Sequence, residues 1–62
     1  MSYKQAKDLF YIGEIVDVRG NYSEKIGTIV NLDDDIPYKA LVRLDHGQFG
    51  STTCWIDIKN LS

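Results

Sequence analysis

Apolar and polar side chains alternate almost strictly over residues 38–45, and this feature constrains the fold more than any other in the chain. A period of two is typical of a half-buried β-strand. Leu41 is the one exception, because it places an apolar side chain on the otherwise polar face. The residues expected to face the core are Tyr38, Ala40, Val42 and Leu44.

The residues after this strand predict a β-hairpin. Asp45 can accept a hydrogen bond from the turn backbone, and Gly47 tolerates a positive φ at little cost. Residues 50–56 are rich in β-branched side chains, so they are predicted to form the returning strand. Gln48 and Phe49 belong either to the turn or to the start of that strand.

A first strand is predicted over residues 13–19, with Val16 and Val18 facing the core and Ile15 facing outward. Before it, residues 1–9 are expected to form a tail or a short docking segment. Residues 10–62 are expected to form the single domain.

The second strand is predicted over residues 25–32, and the sequence leaves its inward face open. Gly27 inside a strand indicates a bend, a bulge or a close approach of another group. A bulge near Gly27 would exchange the two faces partway along the strand. Both faces carry apolar residues, namely Ile26, Val30 and Leu32 on one and Ile29 on the other.

The end of the chain is predicted to form a short 3₁₀ turn over residues 57–60. Ile56 and Leu61 would then close the core, with Leu61 on a last short strand. Between the second and third strands, the acidic run 33–35 and Pro37 predict a solvated loop, since Pro37 excludes a central strand there. The acidic run lacks the alternating ligands and the closing Glu of an EF-hand, which argues against a calcium site.

Composition limits what can stabilise this fold. With 62 residues, the chain can bury only a small core. Its single Cys excludes a disulfide within the chain, and one Cys with one His argues against a zinc site. Closure of the sheet into a barrel, or self-association, is therefore the expected source of stability.

The sequence predicts neither an enzyme nor a membrane protein. No motif combines His46 with a nucleophile, Cys54 is expected to point inward, and no set of residues indicates a metal or a cofactor. No apolar run approaches the roughly 18 residues of a membrane span, and the first ten residues lack the apolar centre of a signal peptide. A cytoplasmic location is therefore expected.

The chain resembles the SH3-like small barrels, a group that includes the KOW-type modules. The resemblance covers roughly residues 11 to 61, and the segments that carry it are 13–20, 25–30, 38–47 and 55–61. It implies an all-β fold, a small five-stranded SH3-like barrel with a short 3₁₀ turn before the last strand. Members of this group bind peptides, nucleic acids, ribosomal or transcription partners, or peptidoglycan, and some are small stand-alone proteins of bacteria and their phages.

The main functional expectation is a binding module that recognises a protein partner through an exposed apolar patch. If Cys54 faces inward, alternation turns Trp55 outward, and Trp is enriched at binding hot spots. The alternative for Trp55 is that it covers one end of the barrel or belongs to the core. The residues predicted to bind the partner are Trp55, Leu41, Ile15 and Tyr22.

Two other functions stay open. One is a KOW-like nucleic-acid-binding module that uses Arg19, Lys25, Lys39 and Arg43, although a net charge of −2 counts against a strong nonspecific grip on phosphates. The other is a small phage or mobile-element protein that inhibits a host protein through its acidic face. The chain is expected to be a monomer or a weak homodimer, because small sheets seldom cover every edge.

Overall fold

The computed structural model describes residues 5–33, 35 and 38–62. Residues 1–4 of the predicted N-terminal segment, Asp34 of the acidic loop and Pro37 lie outside the described residues. The elements are α1 (Ala6–Leu9), β1 (Ile15–Asp17), β2 (Ile26–Leu32), β3 (Lys39–Asp45), a first 3₁₀ turn (Gly47–Phe49), β4 (Ser51–Asp57) and a second 3₁₀ turn (Ile58–Asn60).

The four strands form one antiparallel sheet in the order β1-β2-β3-β4, so neighbours in the chain are neighbours in the sheet. The all-β prediction is confirmed. Among the residues that the structure describes, the sheet has four strands and is not closed, so the predicted five strands and closed barrel are not found there. Leu61, predicted to lie on a last short strand, makes an isolated bridge to Val18.

The last residues nevertheless bind the outer edge of β1. The Asp17 amide donates to the Ser62 carbonyl at 3.0 Å, and the Ser62 amide returns a bond to the Asp17 carbonyl at 3.0 Å. The Arg19 amide donates to the Asn60 carbonyl at 2.8 Å. These bonds hold the second 3₁₀ turn across the end of the sheet, where Leu61 is buried as predicted.

The core lies on one face of the sheet, which we call the inward face. The predictions for Val16 in β1 and for Val18 directly after it are confirmed, and so are those for the buried residues of β3. Tyr38 was also expected to face the core, but it lies one residue before β3 and is 44% exposed. The buried core cluster consists of Val16, Val18, Ile29, Ala40, Val42, Leu44, Ile56 and Leu61.

In β2 the bulge lies three residues beyond Gly27. The register between β2 and β3 shifts between Ile29 and Asn31, so Val30 is the extra residue. Ile29 is fully buried and Leu32 packs against the core, although the sequence places them on opposite faces of a regular strand. Gly27 itself marks a close approach, since a Cβ there would lie 2.4 Å from Val42 Cγ1.

The turn between β3 and β4 follows the predicted chemistry. Asp45 Oδ1 accepts a hydrogen bond from the Gly47 amide at 2.8 Å, and Gly47 has a φ of 68°. Gln48 and Phe49 belong to the turn, because both lie in the first 3₁₀ turn. In the second 3₁₀ turn, Asp57 Oδ1 accepts from the Lys59 amide at 3.1 Å and so caps it.

Two residues ahead of β1 are shielded from water. Ala6 of α1 is buried, and Phe10 packs against the core cluster. Within the described ranges, neither α1 nor the 3₁₀ turns have the length or the apolar character needed to cross a membrane.

Candidate interaction surface

The face of the sheet opposite the core carries an apolar strip. We call this strip the outward patch. It runs across all four strands, with the tryptophan on β4 and the isoleucine on β1 at its two ends. The outward patch consists of Trp55, Leu41, Val30 and Ile15.

Trp55 and Leu41 form the centre of the outward patch. They are directly opposite each other in the β3–β4 register. Their neighbours Ala40, Cys54 and Ile56 face the core, so alternation turns both side chains outward, as predicted. Both side chains are partly buried.

The hydrogen-bond pattern brings this pair close together. The Ile58 amide donates to the Tyr38 carbonyl at 2.8 Å, so that pair is hydrogen-bonded. Hydrogen-bonded and non-hydrogen-bonded pairs alternate along an antiparallel ladder. Leu41 and Trp55 lie three positions further along the ladder and therefore form a non-hydrogen-bonded pair, in which side chains are closest.

Ile15 lies at the other end of the outward patch. It is 72% exposed, as the sequence predicts. In the register it is opposite Thr28, which is in turn opposite Arg43. Because β2 separates β1 from β3, Ile15 lies about 10 Å across the sheet from the strand that carries Leu41.

Val30 lies on the outward face of β2, between the strands that carry Ile15 and Leu41. The sequence pattern did not assign it to this surface. The bulge makes Val30 and Asn31 together oppose Leu41, so both residues lie on the outward face between the inward-facing Ile29 and Leu32. Ile26 is also outward and 59% exposed, next to Ile15 in the register. The apolar residues on both faces of β2 were the sequence signal for this arrangement.

Tyr22 does not belong to the outward patch. It lies in the loop between β1 and β2 and packs against the core cluster on the inward side. Of the four residues predicted to bind a partner, the structure therefore brings Trp55, Leu41 and Ile15 to one face and places Tyr22 on the other.

Charges surround the outward patch unevenly. Along β3, Leu41 is flanked by Lys39 and Arg43 on the same face. Lys39 is opposite Asp57 in the register, so a carboxylate lies beside it. Arg43 is exposed and lies between Thr28 and Thr53, and no carboxylate in the described part of the chain forms an ion pair with it.

The four basic residues predicted for nucleic acid do not form a single cluster. Lys39 and Arg43 lie on the outward face of β3, roughly 13 Å apart along the strand. Arg19 and Lys25 lie at the end of the β1–β2 hairpin, where each donates to a backbone carbonyl. The Arg19 guanidinium binds the Lys59 carbonyl, and Lys25 Nζ binds the Gly20 carbonyl at 3.3 Å.

His46 makes a structural bridge between two loops. Its Nδ1 lies 3.2 Å from Glu24 Oε1, and its Nε2 lies 3.0 Å from Thr52 Oγ1. Both ring nitrogens are therefore engaged, and the ring ties the β1–β2 loop to the start of β4. Cys54 has a free thiol and packs against the core, facing inward as predicted.

The acidic loop forms a local turn. Asp33 Oδ1 accepts a hydrogen bond from the Asp35 amide at 2.8 Å, which is the geometry of an Asx turn. Among the residues that the structure describes, no group of three or more His, Cys, Asp or Glu side chains is placed to hold a metal ion.

No protein-family model, curated protein sequence or solved structure matches this chain. Its function has therefore to be inferred from the geometry of the outward patch and of the sheet that carries it.

Proposed function

We propose that the protein is a small non-enzymatic binding module, an SH3-like barrel in its general plan, that recognises a protein partner through the outward patch. The observation that carries this proposal is the Trp55–Leu41 pair, which lies on the face of the sheet opposite the core and is only partly buried. Tryptophan and arginine are the residues most enriched at binding hot spots, and here Arg43 flanks the pair.

The order of the elements supports the SH3-like part of the proposal. Four antiparallel strands are followed by a 3₁₀ turn, and the chain then returns to bridge β1 through Leu61. In a small barrel of this plan the last residues pair with the first strand, and here the backbone of Ser62 bonds that of Asp17 in β1.

The charges around the patch specify the kind of partner. Arg43 lies two residues after Leu41 on the same face of β3 and lacks an ion-pair partner among the described residues. A partner that inserts an apolar side chain against Trp55 and places a carboxylate over Arg43 would satisfy both groups. Removal of the arginine charge is expected to slow association and to weaken the dependence of the association rate on salt, with a smaller effect on the dissociation rate.

The test compares three immobilised proteins in extract from the source organism: the wild type, Trp55→Ala and Phe49→Ala. Phe49 is the matched aromatic control, because it is 83% exposed but lies in the first 3₁₀ turn outside the outward patch. A protein retained by the wild type and by Phe49→Ala, and lost with Trp55→Ala, supports the proposal. Circular dichroism of each variant must first show the wild-type spectrum.

Two results would overturn the proposal. The first is retention of the same proteins by all three baits. The second is loss of retention after nuclease treatment of the extract, which would favour nucleic acid as the ligand. Once a partner is purified, a shift in the fluorescence of Trp55, the only tryptophan in the chain, reports directly whether the indole lies in the interface.

A further inference from the structure

Strand β4 offers an unpaired row of backbone groups at one edge of the sheet. The His46 amide donates to the Gly50 carbonyl at 2.8 Å, and the Ile58 amide donates to the Tyr38 carbonyl at 2.8 Å. Because backbone groups alternate in direction along a strand, the even-numbered residues of β4 bond to β3 and the odd-numbered residues point away from it. The residues whose N–H and C=O groups face the open edge are Ser51, Thr53, Trp55 and Asp57.

The two edges of the sheet differ in this respect. At the β1 edge, the backbone groups of Asp17 and Arg19 are bonded to residues 60–62. At the β4 edge, no backbone bond from a described residue reaches the outward-directed groups of the strand.

Strand β4 also lacks the features that normally protect an edge. Exposed edges are usually blocked by lysine, proline, a bulge or a very short strand. Strand β4 is seven residues long, its register with β3 is regular, and it contains neither lysine nor proline. Its single charge is Asp57, at the last position.

We propose that two copies of the chain associate through antiparallel pairing of their β4 strands, with the two-fold axis at Cys54. Only registers that place odd-numbered residues opposite odd-numbered residues satisfy the free backbone groups. Among these, full overlap of residues 51–57 with themselves centres on Cys54. The pairs that exchange both backbone bonds are then Ser51 with Asp57 of the second copy, Thr53 with Trp55, and the two symmetric equivalents.

The side chains of β4 suit a second copy of the same strand. In this register each Asp57 is opposite a serine, and the two Asp57 carboxylates lie at opposite ends of the interface, roughly 20 Å apart along the strand. Each Trp55 lies beside Thr53 of the other copy on the outward face, a cross-strand pair that stabilises antiparallel sheets. The inferred dimer therefore contains no like-charge contact between the paired strands.

The same register gives a chemical signature. Cys54 would be opposite its own copy in a non-hydrogen-bonded pair, with Cα atoms about 4.5 Å apart. That distance lies within the range that disulfides span. With diamide as the oxidant, the two thiols would lose two protons and two electrons to the diazene, which becomes a hydrazine, and an S–S bond would join the chains.

The first experiment is sedimentation equilibrium up to about 1 mM protein, a concentration that detects free energies of association of about −4 kcal/mol and stronger. The variants are Thr53→Lys, which places a charge at the centre of the open edge, and Tyr11→Lys, which makes the same change at an exposed position ahead of β1. We expect the wild type and Tyr11→Lys to dimerise equally. For Thr53→Lys we expect a dissociation constant raised at least about tenfold, equivalent to roughly 1.4 kcal/mol.

The second experiment tests the register by diamide cross-linking. The wild type is expected to give a covalent dimer through Cys54. The double variant Thr52→Cys/Cys54→Ser is expected to give none, because position 52 would be opposite residue 56 of the other copy.

A wild type that stays monomeric at about 1 mM, or a Thr53→Lys variant that dimerises as well as the wild type, would overturn the proposal. Cross-linking at position 52 and not at position 54 would overturn the register. Neither result would affect the outward patch, which is tested separately with Trp55→Ala.

Discussion

The two faces of this sheet contain similar kinds of side chain but have different surroundings. On the inward face, Ile29 and Ile56 are fully buried within the core cluster. On the outward face, Trp55 and Leu41 are only partly buried, and Ile15 is largely exposed. In a 62-residue chain, apolar content therefore does not identify the core by itself, and the direction of each side chain relative to the sheet does.

The largest difference between the faces is expected at adjacent residues of β4. Ile56→Ala would leave a cavity at a fully buried position, and we expect it to lower the free energy of unfolding by about 2–5 kcal/mol. Trp55→Ala, one residue earlier on the outward face, should cost less, because water already reaches that side chain. Denaturant unfolding measures both values, and an equal loss would mean that the outward face is a second core.

A smaller loss is expected from adding a methyl group to the inward face. In Gly27→Ala the new Cβ would lie 2.4 Å from Val42 Cγ1 and 3.0 Å from Leu44 Cδ2, so we expect a loss of about 1–3 kcal/mol from overpacking. Val42→Ala removes the nearer contact. The double variant Gly27→Ala/Val42→Ala should therefore lose less free energy of unfolding than the two single variants lose together. Strictly additive losses would show that the two sites are not in contact.

The smallest effect is expected on the outward face of β1. Ile15→Thr keeps a β-branched side chain at a position that is 72% exposed, so the free energy of unfolding should change by no more than about 0.5 kcal/mol. Val16→Thr is the matched control, since it puts a hydroxyl at a buried position next to it and should cost about 1–3 kcal/mol. Similar losses for the two variants would contradict the assignment of faces in β1.

Local patterns in the sequence were sufficient for the β3–β4 hairpin. Alternation identified the buried residues of β3 and turned Trp55 and Leu41 outward, and the Asp45 side chain bonds the turn as its chemistry predicts. These features depend on contacts between residues close in the chain. They could therefore be predicted without knowledge of the rest of the fold.

Other features depend on contacts that no local pattern encodes. The bulge at Val30 arises from the register between β2 and β3, so the sequence could indicate a bulge but placed it near Gly27. Tyr22 lies in a loop, where no periodicity indicates which way a side chain points, and it packs against the core rather than joining the outward patch. The last short strand predicted at Leu61 also depends on pairing between residues far apart in the chain, and Leu61 makes only an isolated bridge to Val18.

The bulge also determines where this chain can change length. In a regular strand, losing one residue sends every later side chain to the opposite face. In β2, two residues oppose Leu41, so removal of Val30 would leave Ile29 inward, Asn31 outward and Leu32 inward, in strict alternation. At Val30, and equally at Asn31, one residue can be lost with the core pattern intact, whereas a deletion at Thr28 would turn Ile29 away from the core.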